Sequence, residues 1–233
     1  MRKSLLMAVL LLSSGATFAT TTQAGKPFEG WLIGGNLGYA SGNNQDVSIS
    51  PGQTEPYGTP RDIDGTVGGI QAGYNWQLDN DIVLGVETGF SAANISGGLN
   101  NPSNSSWYDE VDINQAFNLN LKAGYAIGNW LPYVTAGLTV ASMELAKGCS
   151  VNPAPAVQDC GNAFKTTSDD VRLGYNVGAG VEWKFSDNFS TALEYRYTDL
   201  GESDAFDPEG SSVVYPKFKT DYQEITLRLN YHF

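Results

Sequence analysis

Residues 225–233 read I-T-L-R-L-N-Y-H-F. Ile225, Leu227, Leu229, Tyr231 and Phe233 are apolar or aromatic; Thr226, Arg228, Asn230 and His232 between them are polar. Successive side chains of a β-strand point to opposite sides, so a strict two-residue period marks a strand with one apolar and one polar face. A chain ending on such a strand, with Phe as its last residue, has the form of the closing strand of a β-barrel. The rest of the sequence is read against that expectation.

Seven further strands show the same alternation. The first, Trp31 to Tyr39, sets Trp31, Ile33, Leu37 and Tyr39 against Gly34, Asn36 and Gly38. The second (Val67 to Gln77), third (Ile82 to Ala92) and fourth (Ile113 to Tyr125) turn Ile70, Tyr74, Trp76, Leu84, Phe90, Phe117, Leu119 and Leu121 one way and Gln71, Asn75, Glu87, Asn118, Asn120 and Lys122 the other. The fifth (Trp130 to Ser142) carries Pro132 near its start, where a missing ladder donor is tolerated. The sixth (Val171 to Phe185) alternates without a break, and the seventh runs from Phe189 to Leu200. Three connections are tight turns, Leu78 to Asp81, Gly128 to Asn129 and Ser186 to Asn188. Four are long and polar: Ala40 to Thr66, Ala93 to Asp112, Met143 to Asp170 and Gly201 to Asp221. The pattern predicts an all-β fold, an eight-stranded antiparallel up-and-down transmembrane β-barrel with four long external loops and three short periplasmic turns. Aromatic girdles should then mark the two interfaces. Trp31, Trp76, Tyr125, Trp130, Trp183, Phe189, Tyr231 and Phe233 fall at the short-turn end, and Tyr39, Phe90, Tyr197 and Tyr222 near the opposite rim.

The N-terminus fits export. Arg2 and Lys3, the apolar run Leu5 to Leu12, and the small residues Ser13 to Ala19 arrive in the order of a secretory signal peptide. Residues 1–19 are therefore read as the signal, with cleavage after Ala24 as the second choice, and residues 20–233 as the barrel. Removal of Arg2 and Lys3 leaves 11 basic residues against 25 acidic ones, a net charge of about −14. That balance argues against nucleic acid as a partner. An exported chain with two cysteines, Cys149 and Cys160, suggests a disulfide closing the intervening Gly- and Pro-punctuated loop. No histidine lies near, and two thiols do not make a four-ligand zinc set. No metal or other cofactor is expected.

Eight strands leave an interior just wide enough for side chains to fill. The inward charges are Glu87, Lys122, Arg172, Glu182, Lys184, Glu194, Arg196, Glu224 and Arg228, four acids and five bases. Mixed signs in a confined space should pair, since an isolated buried charge is costly. The first reading is a salt-bridged plug; a gated narrow pore and a catalytic carboxylate pair are the alternatives. No G-x-S-x-G, H-E-x-x-H or P-loop pattern occurs. The single histidine, His232, would need a serine and an orienting acid beside it to activate a nucleophile. The acidic pairs Asp109-Glu110 and Asp169-Asp170 read as solvated loop residues. Calcium bridging of the acidic loops to an anionic surface, and ligand anchoring by Trp107 and Tyr108, are weaker readings.

The segments G-G-I-Q-A-G-Y-N-W-Q (Gly68 to Gln77), V-L-G-V-E-T-G-F (Val83 to Phe90), L-P-Y-V-T-A-G-L (Leu131 to Leu138) and L-E-Y-R-Y-T-D-L-G (Leu193 to Gly201) resemble the porin-family outer-membrane immunogenic proteins of alphaproteobacteria, as does the N-Y-H-F end. Cys149 and Cys160 stand outside that pattern, and the first strand lacks the usual Tyr before its glycine pair. The resemblance implies an integral outer-membrane barrel, exposed at the surface, with a role in envelope integrity and host contact; with no enzyme signature in the sequence, no enzymatic activity is expected. A narrow porin is the alternative and a lipid-modifying enzyme the more distant one. The expected partners of such a barrel are outer-membrane lipids and lipopolysaccharide and the outer-membrane assembly machinery, with the loops as the place for a host or surface ligand.

Overall fold

The computed structural model describes residues 25–46, 61–100, 107–149, 164–203 and 218–233. The proposed signal peptide and Cys160 lie outside the described residues, and the proposed disulfide with them. Eight strands close into one barrel in chain order: β1 (Gly30–Asp46), β2 (Arg61–Gln77), β3 (Ile82–Asn100), β4 (Trp107–Tyr125), β5 (Trp130–Cys149), β6 (Phe164–Lys184), β7 (Phe189–Ser203) and β8 (Phe218–His232). Every neighbouring pair is antiparallel, and β8 returns to pair with β1, so that Leu37 faces Leu227 and Gly34 faces Asn230 across the seam. Closure leaves no unpaired edge along the apolar band.

Phase follows the two-residue period in that band. Leu37, Ile70, Leu121, Leu173, Leu193 and Leu227 each stand more than half exposed on the outside. So do Ile225 and Leu229 of β8; Tyr231 is half-buried, and Phe233, just beyond the strand, ties its backbone N–H to the Trp31 carbonyl at 3.0 Å. The aromatics at the short-turn end form a ring of touching side chains: Trp130 stacks on Trp183, Phe185 on Phe189, and Tyr231 meets both Phe189 and Phe233 edge-on.

The long-loop end departs from the sequence reading. The strands run well into the segments read as loops: β1 continues to Asp46, β3 to Asn100 and β5 to Cys149, while β2 begins at Arg61 and β6 at Phe164. Asp62, Asp64, Asp109, Glu110, Asp169, Asp170 and Glu202 therefore belong to strands, as do Trp107 and Tyr108. The reason is an inversion of polarity. Above the apolar band the outward positions become polar (Ser41, Asn43, Asp64, Asn94, Ser96) and most inward positions apolar, with Arg172, Thr198 and Thr220 as buried polar exceptions. Ala40, Ile63, Val67, Ile95, Ile113, Ala116, Ala141, Met143, Leu200 and Tyr222 form a buried cluster within the barrel at this level. This is the pattern of a barrel standing in water. Tyr222, read as a rim aromatic, instead points inward and is 4% exposed, because it shares the phase of the inward Glu224 and Arg228. Ile113 joins the cluster through an irregularity in β4, where Asn114 and Gln115 both lie exposed and the register against β5 slips by one.

A second apolar cluster closes the short-turn end: Phe28, Val83, Ala126, Leu131, Tyr133 and Ala192. Phe28 precedes the first strand and is completely buried. Its N–H bonds the Gln77 side chain at 3.0 Å, the Lys184 ammonium holds the Pro27 carbonyl, and Gly30, with φ +120°, makes the turn that a side-chain-bearing residue would strain. Outside the mouth, Lys26 lies 2.9 Å from Asp79 and holds that carboxyl below its usual range.

Candidate functional site

Between the two apolar clusters lies a layer of charge. All nine inward charges named from the sequence are buried: Glu87, Lys122, Arg172, Glu182, Lys184, Glu194, Arg196, Glu224 and Arg228 are each 8% exposed or less. Five form one chain. Arg228 donates to Glu87 and, at 2.6 Å, to Glu194; Arg196 donates to the other oxygen of Glu194 and, at 3.1 Å, to Glu224. The order is Glu87, Arg228, Glu194, Arg196, Glu224, with signs alternating along it. Each guanidinium divides its terminal nitrogens between two carboxylates, a use of the planar fork that an ammonium could not reproduce. Tyr133 adds a hydroxyl to Glu194 at 2.7 Å.

The second group centres on Glu182. It receives Lys122 at 2.8 Å, Ser190 at 2.5 Å and Asn230 at 3.2 Å, and lies 3.0 Å from His232 Nε2. The Lys122 ammonium also sits 4.2 Å from the centre of the Tyr133 ring, which links the two groups. Lys184 reaches the Pro27 carbonyl, away from this centre, and Arg172 reaches the Gly201 carbonyl at 3.4 Å near the opposite end.

The fold thus brings serine, histidine and carboxylate together, which the sequence reading did not do. Ser190 Oγ lies 3.0 Å from His232 Nε2. A nucleophile relay needs the acid on one ring nitrogen and the serine on the other. Here both Ser190 and Glu182 address Nε2, while Nδ1 has no partner among the described residues. All three residues are at most 2% exposed inside the barrel, beneath Phe28, so no substrate reaches them. The arrangement supports a hydrogen-bonded strut and not acyl transfer.

The sequence reading also missed Tyr133 and Phe28. Tyr133 follows the inward parity of Thr135 and Thr139, which was the available signal. Phe28 stands outside any periodic stretch and gave none.

Known proteins resemble this chain in sequence and in fold. Residues 7–233 match the model of the outer membrane protein β-barrel domain family. The 31 kDa outer-membrane immunogenic protein of Brucella melitensis is 30% identical over 97% of this chain and 99% of its own. The 22 kDa outer membrane protein of Rhizobium leguminosarum is 31% identical over 87% of this chain and 75% of its own. Among solved structures, the outer membrane protein AlkL in lipid bilayers superposes with a TM-score of 0.50 at 15% identity, covering 91% of this chain and 94% of that one, a likeness of fold alone. The apolar belt, the closed strand ring and these matches lead to one conclusion: the chain belongs to the outer membrane protein β-barrel domain family and resides in the bacterial outer membrane.

Proposed function

We propose that this protein is a closed, non-enzymatic barrel that reinforces the outer membrane and presents its outer end for surface contact. The observation that carries the reading is the three-layer interior: apolar side chains at the periplasmic mouth, paired charges in the middle, and a second apolar cluster above them. Charges committed to one another in a narrow barrel resist displacement by passing ions. The belt of exposed aliphatic side chains meets lipid acyl chains, the acidic outer strands meet the lipopolysaccharide surface, and the C-terminal strand is the element for the assembly machinery to engage. The connections at the outer end are where a host or surface ligand would bind.

Reconstitution of the purified full-length protein into planar bilayers tests closure. The expected record shows no stepwise conductance at physiological ionic strength. Reproducible single-channel steps would replace this reading with that of a narrow porin. A change in lipid A mass on expression would replace it with that of a lipid-modifying enzyme.

A further inference from the structure

A cavity of about 20 Å³ lies within the charged layer, and its lining includes Glu87, Gly89, Asn120, Arg196, Glu224 and Arg228. That is room for about one water, which needs ~10–15 Å³. Three residues of the lining each carry a buried polar atom with no partner among the described residues: Arg196 Nε, Arg228 Nε and Asn120 Oδ1. Both arginines engage each terminal nitrogen with a carboxylate, and Nε is the nitrogen of each that is left without a partner among the described residues. A buried guanidinium N–H without an acceptor is costly, and native interiors rarely leave one.

The chemistry of these groups selects the occupant. An anion would accept from the two Nε–H groups but would face Glu87 and Glu224 in the same lining, and the five-membered chain already carries one more acid than base. A cation would suit Asn120 Oδ1 and the carboxylates but would be repelled by both guanidiniums. Water alone donates and accepts without charge. We infer that the cavity is a water-binding site, holding ordered water between Arg196 and Arg228. The inference stands independently of the closed-barrel proposal, because an ordered water is compatible with a conducting barrel and its lack with a sealed one.

The test is a high-resolution crystal structure of the full-length protein from crystals grown in bromide. The expected result is a density peak within hydrogen-bonding distance of Arg196 Nε and Arg228 Nε, with no anomalous signal from bromide. A bromide peak there would make the site an anion site, and a cavity without density would overturn the inference outright. A second structure, of Gly89→Leu, adds a check. The Cβ at Gly89 meets nothing closer than the Ile70 carbonyl at 3.6 Å, so a larger side chain has an entry into the cavity. The water peak should vanish in this variant; its survival would show that the cavity is not its seat. Should the variant fail to fold, the bromide experiment decides alone.

Discussion

Arg228→Met is the sharpest probe of the charged layer. Arg228 is 3% exposed and holds both Glu87 and Glu194. The two carboxylates do not lose equally. Glu194 keeps Arg196 and the Tyr133 hydroxyl, whereas Arg228 is the only partner of Glu87 among the described hydrogen bonds and ion pairs. Methionine roughly preserves the stem's volume and removes the charge, so the cost is that of one stranded buried carboxylate. Breaking a buried pair in this way costs about 3–5 kcal/mol. The second substitution, Glu87→Gln in the Arg228→Met background, removes the stranded charge and should recover more than half of that loss, giving a large coupling energy in the double-mutant cycle. Glu87→Gln alone should cost less than Arg228→Met, because Arg228 retains Glu194. The assay is urea unfolding of the refolded barrel in zwitterionic micelles, followed by tryptophan fluorescence and cross-checked by heat-dependent mobility on gels. If Arg228→Met costs under about 1 kcal/mol, or if the double variant is no more stable than the single, the charges are solvated and the pairing argument fails.

Other substitutions test the remaining layers. Leu193→Arg, on the lipid face and 54% exposed, should cost about 2–4 kcal/mol in bilayer stability, while its neighbour Glu194→Gln, facing inward, should insert normally but lower the unfolding midpoint; equal behaviour would mean that the phase of β7 is wrong. Phe28→Ala should cost about 3–5 kcal/mol by emptying the periplasmic plug, read by the same unfolding curves, and a silent substitution would show that the segment before β1 contributes nothing. Gly137→Ala should cost about 1–3 kcal/mol, because its Cβ would fall 2.1 Å from the Leu119 carbonyl, whereas Gly68→Ala, with contacts no closer than 3.4 Å, should leave the midpoint unchanged.

The membrane-embedded half was readable because lipid outside and polar groups inside alternate at the strand period, and residues such as Leu227-Arg228-Leu229 differ enough to make the phase plain. The upper half was not, for three physical reasons. Above the band, water replaces lipid outside and apolar packing replaces charge inside, so a stretch such as Ala40-Ser41-Gly42-Asn43 has small marks of both kinds and reads as a loop. In β4, the irregularity at Asn114-Gln115 shifts the phase, so Ile113 falls out of step with Phe117 and Leu119. Pairing within the charged layer is invisible to a one-dimensional reading: Glu87 and Arg228 lie on β3 and β8 and meet only across the closed ring. The sequence named the nine charges that enter the interior, but which carboxylate each cation holds is decided by barrel curvature and stagger.

The polarity switch has a consequence for change at the cell surface. A hydrophobic interior carried past the headgroups makes the outer segment a stiff collar with its own packed centre. Sequence change in the connections leaves that packed centre untouched, while replacing a collar-filling residue such as Met143 or Ile63 would disturb it directly.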